Sequence, residues 1–407
     1  MGQPARVRPG TPRRPASGAA AWGGLAAVLL LGIAGLLPAG ASPAAPSTLP
    51  ATAPLRPAPR GPQRHQPVVQ RLVALLQAHP PLRSVLEESL RRTQRFAEPL
   101  LPAYLAFLDR MITEVPNNRD LLPNNLDFYF VIASSPEQKL RRDPLFQSWV
   151  RDYVHTLGNF FNTVESAQLL GSFRANPLYR VNDYAENPSG WLTFNQFFAR
   201  TVRPGKHPIA GPLDPRVVVA PADSTFLGAW PIQDNSRITL KGLEWNVSDL
   251  LQGSPYRDRF RGGVFTHSYL SPFNYHRFHT PVAGVVRELR TVMGALHLDV
   301  VLQADGSLGV INDDLGFVFQ QERGIVVLES PLGLVAVIPV GMGVVSSVNF
   351  TAQEGARLAK GEELGYFAFG GSDVVMLFEP RAAVAFQLEK GQAVQQGSAV
   401  AAARPAP

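Results

Sequence analysis

Phe367-Ala368-Phe369-Gly370-Gly371-Ser372-Asp373-Val374-Val375-Met376-Leu377-Phe378 sets two glycines and a serine between two apolar runs of strand type. Glycine admits strained or left-handed backbone, and a hydroxyl beside such a peptide becomes a nucleophile only where a base reaches it. A candidate base stands upstream, His279 or His276, in Tyr269-Leu270-Ser271-Pro272-Phe273-Asn274-Tyr275-His276-Arg277-Phe278-His279-Thr280-Pro281. A candidate carboxylate is Asp223 in Pro221-Ala222-Asp223-Ser224.

Around this stretch the chain reads as β structure. After Pro188-Ser189-Gly190-Trp191 and a short helix over Thr193–Arg200, short β-branched runs bounded by Gly or Pro dominate: Val217–Val219, Val285-Val286, Ile325–Leu328 and Leu334–Ile338. A faint internal repeat pairs Glu354-Gly355…Lys360-Gly361 with Lys390-Gly391…Gln396-Gly397. It reads as two similar β-hairpin units in a compact sandwich or barrel, with the Gly371-Ser372 peptide between them. Biotinyl and lipoyl carriers share a duplicated hairpin but place a lysine at its turn. The Gly-Gly-Ser-Asp found here argues against a swinging-arm carrier.

Upstream, from about Gln66 to Tyr184, the pattern is helical. Val68, Leu72, Leu75 and Leu76 recur at three- and four-residue spacing, Leu100 to Met111 forms a clearer stripe, and Trp149, Tyr153, Leu157 and Phe161 share a face. Asn/Pro turns are expected at Pro116-Asn117-Asn118 and Pro123-Asn124-Asn125. The aromatic stripes read as core. The expected fold is α+β: a helical N-terminal domain over 66–189, then a β-rich sandwich or barrel-like domain with duplicated hairpins over 190–407.

The chain has 407 residues, enough for two domains besides a leader. Its net charge of +6 owes four charges to Arg6, Arg8, Arg13 and Arg14. With no basic stripe or reading motif elsewhere, nucleic acid is not an expected partner. Those arginines precede an apolar run from Ala19 to Leu37 and then Ala39-Gly40-Ala41, the form of a secretory signal. An uncleaved N-terminal anchor is the rival reading of 1–41. Either sends the rest of the chain across a membrane, so the expected location is periplasmic, secreted or membrane-anchored. Residues 42–65, rich in Pro and Ala, read as a linker. With no cysteine, disulfides, thiolate metal sites and a lipidated cysteine are excluded.

Three segments together carry a resemblance: Leu270–Pro281, Asn195–Pro208 with Arg203-Pro204-Gly205, and Gly361–Phe367 leading into the Gly-Gly-Ser. The chain resembles the phosphatidylserine decarboxylase family over about residues 190–380. The helical region resembles, more loosely, the extension of a branch that includes soluble aromatic amino acid decarboxylases of fungi. The resemblance implies a zymogen that cuts itself between Gly371 and Ser372, leaving Ser372 as a covalent pyruvoyl cofactor. It assigns Asp223, His279 and Ser372 to the cleavage triad and His276 to protonation after CO2 loss. No metal is implied. The substrate would be an L-amino acid or phosphatidylserine, bound to the pyruvoyl ketone through its amine. Membrane association through the N-terminal segment is expected, and a homodimer is an open option.

Departures from the family pattern are the second glycine, Ser224 where glycine is common, Asn274 where aspartate is common, and Asp373 where threonine is common. The first two point to the amino acid branch. Asp373 would oppose formation of an oxyanion beside it unless it points away or is paired. Two other readings stand beside the decarboxylase: a non-catalytic exported binding module, and a hydrolase that uses Ser372 on an external ester. The hydrolase lacks a nucleophile-elbow pattern.

Overall fold

The computed structural model describes residues 55–57, 64–240, 243–294, 296, 298–310, 319, 321–342, 347–369 and 371–404. The leader, most of the linker and Gly370 lie outside them. Pro67 and Pro80 open α1 (Pro67–Ala78) and α2 (Pro80–Thr93), where a missing N–H leaves no helix bond unmade. α3 (Leu100–Met111), α4 (Leu121–Ala133), α5 (Lys139–Arg142) and α6 (Pro144–Phe160) follow. Asp143 caps α6 by accepting from the Phe146 N–H at 2.8 Å. The expected stripe of Trp149, Tyr153, Leu157 and Phe161 is buried, its last member just past the end of α6. Trp149 Nε1 donates to the Val68 carbonyl and Tyr153 Oη to that of Leu108, at 2.9 and 2.8 Å, which ties α6 to α1 and α3.

The two expected turns fare differently. Asn117 Oδ1 accepts from the N–H groups of Arg119 and Asp120, so the first is a side-chain-stabilised turn. The second is overturned, because Pro123-Asn124-Asn125 lies inside α4. Pro123 falls in the first helical turn, where the fold needs no N–H from it.

The aromatic core crosses the boundary expected near residue 189. Phe161 and Phe173, the latter on α7 (Leu170–Arg174), pack on Phe194 of α8 (Phe194–Phe198) at centroid distances of 5.0 and 5.1 Å. Beyond α8, the expected β-branched runs become strands. With the further strands that join them, the series in chain order is β1 (Val217–Val219), β2 (Ser224–Pro231), β3 (Val264–Leu270), β4 (Arg277–His279), β5 (Gly284–Val292), β6 (Arg323–Ser330) and β7 (Gly333–Met342). The series continues with β8 (Val348–Phe350), β9 (Arg357–Leu358), β10 (Glu363–Phe367), β11 (Gly371–Phe378), β12 (Ala385–Phe386), β13 (Ala393–Val394) and β14 (Ala399–Ala402).

Eight of these form an antiparallel sheet in the order β9-β5-β6-β7-β11-β3-β2-β13. Beside it stand two three-stranded sheets, β8-β10-β4 and β12-β14-β1, and two-stranded ribbons that include Arg237–Leu240 with Leu243–Asn246 and Val300–Leu302 with Leu308–Val310. The large sheet buries both faces, which is why its strands read as near-continuous apolar runs. Ile325, Val327, Val375 and Leu377 enter one core with Leu250 and Phe260. Val326, Leu328, Val374 and Met376 enter another with Phe278, Phe367, Val218 and Val400 of the small sheets. The fold is therefore α+β, and its β-rich part is layered, with an open eight-stranded sheet rather than a closed barrel.

The glycine repeat has a backbone counterpart. Gly355 precedes β9 and Gly361 lies between β9 and β10; Gly391 precedes β13 and Gly397 lies between β13 and β14. All four have φ between +81° and +89°. The two strands of each unit join different sheets. Ile209 wedges against both turns, and a Cβ built on Gly361 or Gly397 would come within 2.4 or 2.8 Å of its Cδ1. Gly361→Ala therefore adds a left-handed φ and a clash, and should lower stability by about 2–3 kcal/mol in urea unfolding. Adding Ile209→Ala removes the clash alone, so the double variant should lose less than the sum of the two single losses. Strict additivity would show that Ile209 does not set the constraint.

Candidate active site

Ser372 is the second residue of β11 and is paired on both sides, with Gly341 of β7 and Leu270 of β3. Its side chain is fully buried, and its Oγ has no hydrogen-bond partner. Successive strand residues face opposite ways. Ser372 therefore shares its face with Val374 and Met376, toward the small sheets, while Asp373 shares the face of Val375 and Leu377. The concern over Asp373 is met by this geometry. Its carboxylate points away from the Ser372 hydroxyl, and His267 Nε2 stands 3.2 Å from its Oδ1. Val375 pairs with His267 across β11 and β3, so Asp373 and His267 are diagonal neighbours on one face. Burial pushes the Asp373 carboxyl up, and His267 partly offsets this.

The small sheet β8-β10-β4 joins the histidines to the serine. β10 pairs with β4, the Phe367 N–H donates to the His276 carbonyl at 2.8 Å, and four residues after Phe367 the chain enters β11. His276 is buried, its ring tilted against that of Phe198 with centroids 3.9 Å apart, and its Nδ1 lies 2.9 Å from the Asn274 carbonyl. A carbonyl can only accept, so Nδ1 carries the proton and Nε2 keeps a lone pair, for which the structure provides no partner. His279 is arranged alike, with Nδ1 2.9 Å from the Gly361 carbonyl and Nε2 3.0 Å from the Tyr275 hydroxyl. Burial pushes His276 down to about 3 and His279 down to about 4, so both are neutral at pH 7 and able to accept a proton.

Asp223 lies between β1 and β2, buried, with its Oδ1 accepting from the Gln396 N–H at 2.8 Å. The His279 N–H donates to the Pro221 carbonyl, so the Asp223 loop runs beside His279. Among the described residues the Asp223 carboxylate makes no hydrogen bond to His279. The imidazole nearest to it is His207, whose Nδ1 is 3.7 Å from Asp223 Oδ1 and whose ring stands edge-on to Tyr275 at 5.2 Å. Burial lowers His207 and raises Asp223. The expected Asp-His-Ser set thus lies on three separate segments, the Asp223 loop beside His279 of β4 and Ser372 on β11, with Tyr275 and His207 close to the first two.

Two further residues escaped the sequence reading. Asn195 Oδ1 accepts from the Phe369 N–H at 3.2 Å, directly before the Gly-Gly peptide. Arg200 is buried over the Tyr184 ring at 4.1 Å, and its Nη2 donates to the carbonyls of Tyr179, Phe273 and Asn274. It thereby pins the loop that carries His276. Asn274 itself holds that loop, its Oδ1 accepting from the Ser271 N–H at 2.7 Å, so this position keeps a polar contact without the usual aspartate. Asn195, Arg200 and His207 all lie within or beside the quoted Asn195–Pro208 segment; what they touch was not readable from it.

A family model for phosphatidylserine decarboxylase matches residues 194–402, half of the chain. The chain belongs to the phosphatidylserine decarboxylase family. Its members are carboxy-lyases whose cofactor is a pyruvoyl group made by self-cleavage, which is the part assigned to Ser372 above. A phosphatidylserine decarboxylase proenzyme of Halorhodospira halophila is 35% identical over 210 residues, 47% of this chain and 68% of that protein. Phosphatidylserine decarboxylase proenzyme 3 of Schizosaccharomyces pombe is 36% identical over 201 residues, 49% of this chain. The chain spans 20% of that yeast protein and 38% of a rice relative's length, well under two thirds of either. "Decarboxylase iboD" of Amanita muscaria is 28% identical over 300 residues, 65% of this chain and 86% of that protein.

The neutral histidines set a pH dependence. Unfolded imidazoles take up protons below about pH 6.5, whereas buried His276 resists until about pH 3, so its contribution to stability is complete above 6.5 and is lost as pH falls. The raised carboxyls of Asp223 and Asp373 act in the opposite sense, which makes a variant comparison the cleaner readout. Between pH 6.5 and 4.5, His276→Gln should lose about 2 kcal/mol less stability than the parent chain in urea unfolding. Equal losses would show that His276 titrates normally.

Proposed function

We propose that this protein is a self-processing, pyruvoyl-dependent decarboxylase, exported by its N-terminal segment and acting on a free L-amino acid. The observation that carries the reading is the buried, unpartnered Ser372 hydroxyl beside the Gly371 carbonyl, on the sheet face shared with the histidine-bearing layer. In this scheme a neutral imidazole accepts the Ser372 hydroxyl proton, Oγ bonds to the Gly371 carbonyl carbon, and the Gly371–Ser372 C–N bond breaks with its nitrogen taking a proton. The peptide is now an ester. Loss of the Ser372 Cα proton and cleavage of Cβ–Oγ release the Gly371 carboxylate, and addition of water with departure of ammonia completes the ketone. The residues fit such a group, because β11 stays paired from Ser372 onward and would hold the new terminus where the hydroxyl now lies. Once formed, the pyruvoyl group supplies an electron sink for the electrons left by departing CO2. His276 Nε2, neutral and unpartnered, is the group proposed to carry a proton at that stage.

A free amino acid is favoured over phosphatidylserine by a cleft of about 840 Å³ that borders Ala368 and is walled on one side by the end of α6. Asn159, Asn162, Asn195, Arg200 and Arg277 line it, and no Asp or Glu does, which suits a small anionic solute such as an amino acid carboxylate. Among the described residues no helix is long and apolar enough to cross a membrane.

Intact mass of the purified protein should reveal a fragment covering 372–407, lighter than the hydrolysis product as an amine-to-ketone change requires. Ser372→Ala should leave a single uncut chain without decarboxylation; a cut Ser372→Ala chain would refute the site. His279→Ala should block cutting, while His276→Ala should be cut yet turn over at least about a hundredfold more slowly. The reverse pattern would exchange the two roles. Supplied with both substrates, the cut enzyme should release CO2 and a free amine; formation of ethanolamine lipid instead would overturn the amino acid assignment.

A further inference from the structure

The end of α6 reaches the peptide proposed to cut itself. Asn195 carries two polar ends, and both are engaged. Its Nδ2 donates to Asn162 Oδ1 at 3.0 Å and to the Gly158 carbonyl at 3.4 Å, both acceptors belonging to the helical region. That orientation leaves Oδ1 to accept from the Phe369 N–H at 3.2 Å. Phe369 lies between the end of β10 and the start of β11, where no ladder bond is available to it, so the Asn195 amide stands in for one.

The ring of Phe369 is gripped from the same side. Phe161, just past the end of α6, meets it edge-on at 5.2 Å, and Phe194 and Phe198 of α8 lie at 5.3 and 5.1 Å. α8 is in turn tied to the helical region. The Asn195 N–H donates to the Phe161 carbonyl at 3.1 Å, and the Phe194 N–H donates to Ser166 Oγ at 2.9 Å. Phe198 also packs against His276. Downstream, Ser372 is held by β7 and β3. Gly371, the first residue of β11, is already paired with Met342 of β7, so only Gly370 separates that strand from the anchored Phe369. Glycine is the residue that loses most conformational freedom when confined. An acyl shift needs the hydroxyl and carbonyl held in a near-attack arrangement, and fixing both flanks restricts what the Gly-Gly peptide can sample.

We propose that Asn195, oriented by Asn162, is a positioning residue for self-cleavage, and that the helical region is thereby a working part of the processing machinery rather than an appended domain. This rests on the self-processing reading above. The effect is on the precursor peptide and precedes any substrate.

The test follows the appearance of the 372–407 fragment over time in full-length protein, together with the urea midpoint of the uncut chain. Asn195→Ala and Asn162→Leu should slow cutting about tenfold, the consequence of one lost oriented hydrogen bond. Asn162→Asp keeps an oxygen to accept from Asn195 Nδ2 and, at an exposed position, should cut at close to the parent rate with the same urea midpoint as Asn162→Leu. Parent-like cutting in Asn195→Ala and Asn162→Leu would overturn the inference. So would equal slowing in Asn162→Asp and Asn162→Leu. Should Asn195→Ala fail to fold, the exposed Asn162 pair decides alone. A parent chain that stays whole sinks the self-processing reading and this inference with it; a parent chain that is cut beside unaffected variants sinks the inference only.

Discussion

The two-sided pairing of β11 is the constraint on which the rest of the site depends. A strand bonded on both edges has its face alternation set by its neighbours, and a slip of one residue would exchange Ser372 and Asp373 between layers. With the register as it is, the hydroxyl enters the layer of the histidine-bearing sheet and the carboxylate enters the opposite core beside His267. The arrangement leaves a buried hydroxyl unpartnered, at a cost of about 1–3 kcal/mol. The large apolar faces of β6, β7 and β11 supply ample burial to carry that cost. A polar group kept unsatisfied in such a core is an exception that calls for a physical account, and self-processing at Ser372 is the one proposed.

Neutral imidazoles are the second consequence of depth. His276 and His279 sit where water cannot stabilise a charge, so burial holds them unprotonated far below the usual imidazole range. Each Nδ1–H is committed to a backbone carbonyl, which leaves the lone pair of both rings on Nε2. Those carbonyls belong to turns secured from elsewhere. Arg200 pins the Phe273-Asn274 loop, and Ile209 wedges the Gly361 turn. The chemistry of two side chains thus depends on backbone geometry set by residues that take no part in it.

The helices changed meaning once folded. Their aromatic stripes read as core, and they are core: Phe161, Phe194 and Phe198 are buried. What periodicity does not carry is the direction in which a core residue reaches. Phe161 closes a helical bundle and also contacts Phe369, more than two hundred residues away in the chain. Asn195 stood in a segment already singled out, but an asparagine at the start of a short helix reads locally as a cap or turn residue. Its bond to Phe369 is a long-range contact with no local signature.

From its residues alone the chain disclosed the α+β class, the helical stripes of α1, α3 and α6, the strands around Val217, Ile325 and Leu334, and the serine after two glycines. These are local properties of periodicity, branching and turn chemistry. Pro123-Asn124-Asn125 shows the limit of such reading, since the same residues that make a turn are tolerated in the first turn of a helix, and packing decided for the helix. Which face Ser372 points to, that Asp373 pairs with His267, and that the imidazole nearest Asp223 is that of His207 were decided only by tertiary structure. Strand register and the burial of ionisable groups come from neighbours distant in the chain, and neither leaves a trace in the residues that inherit them.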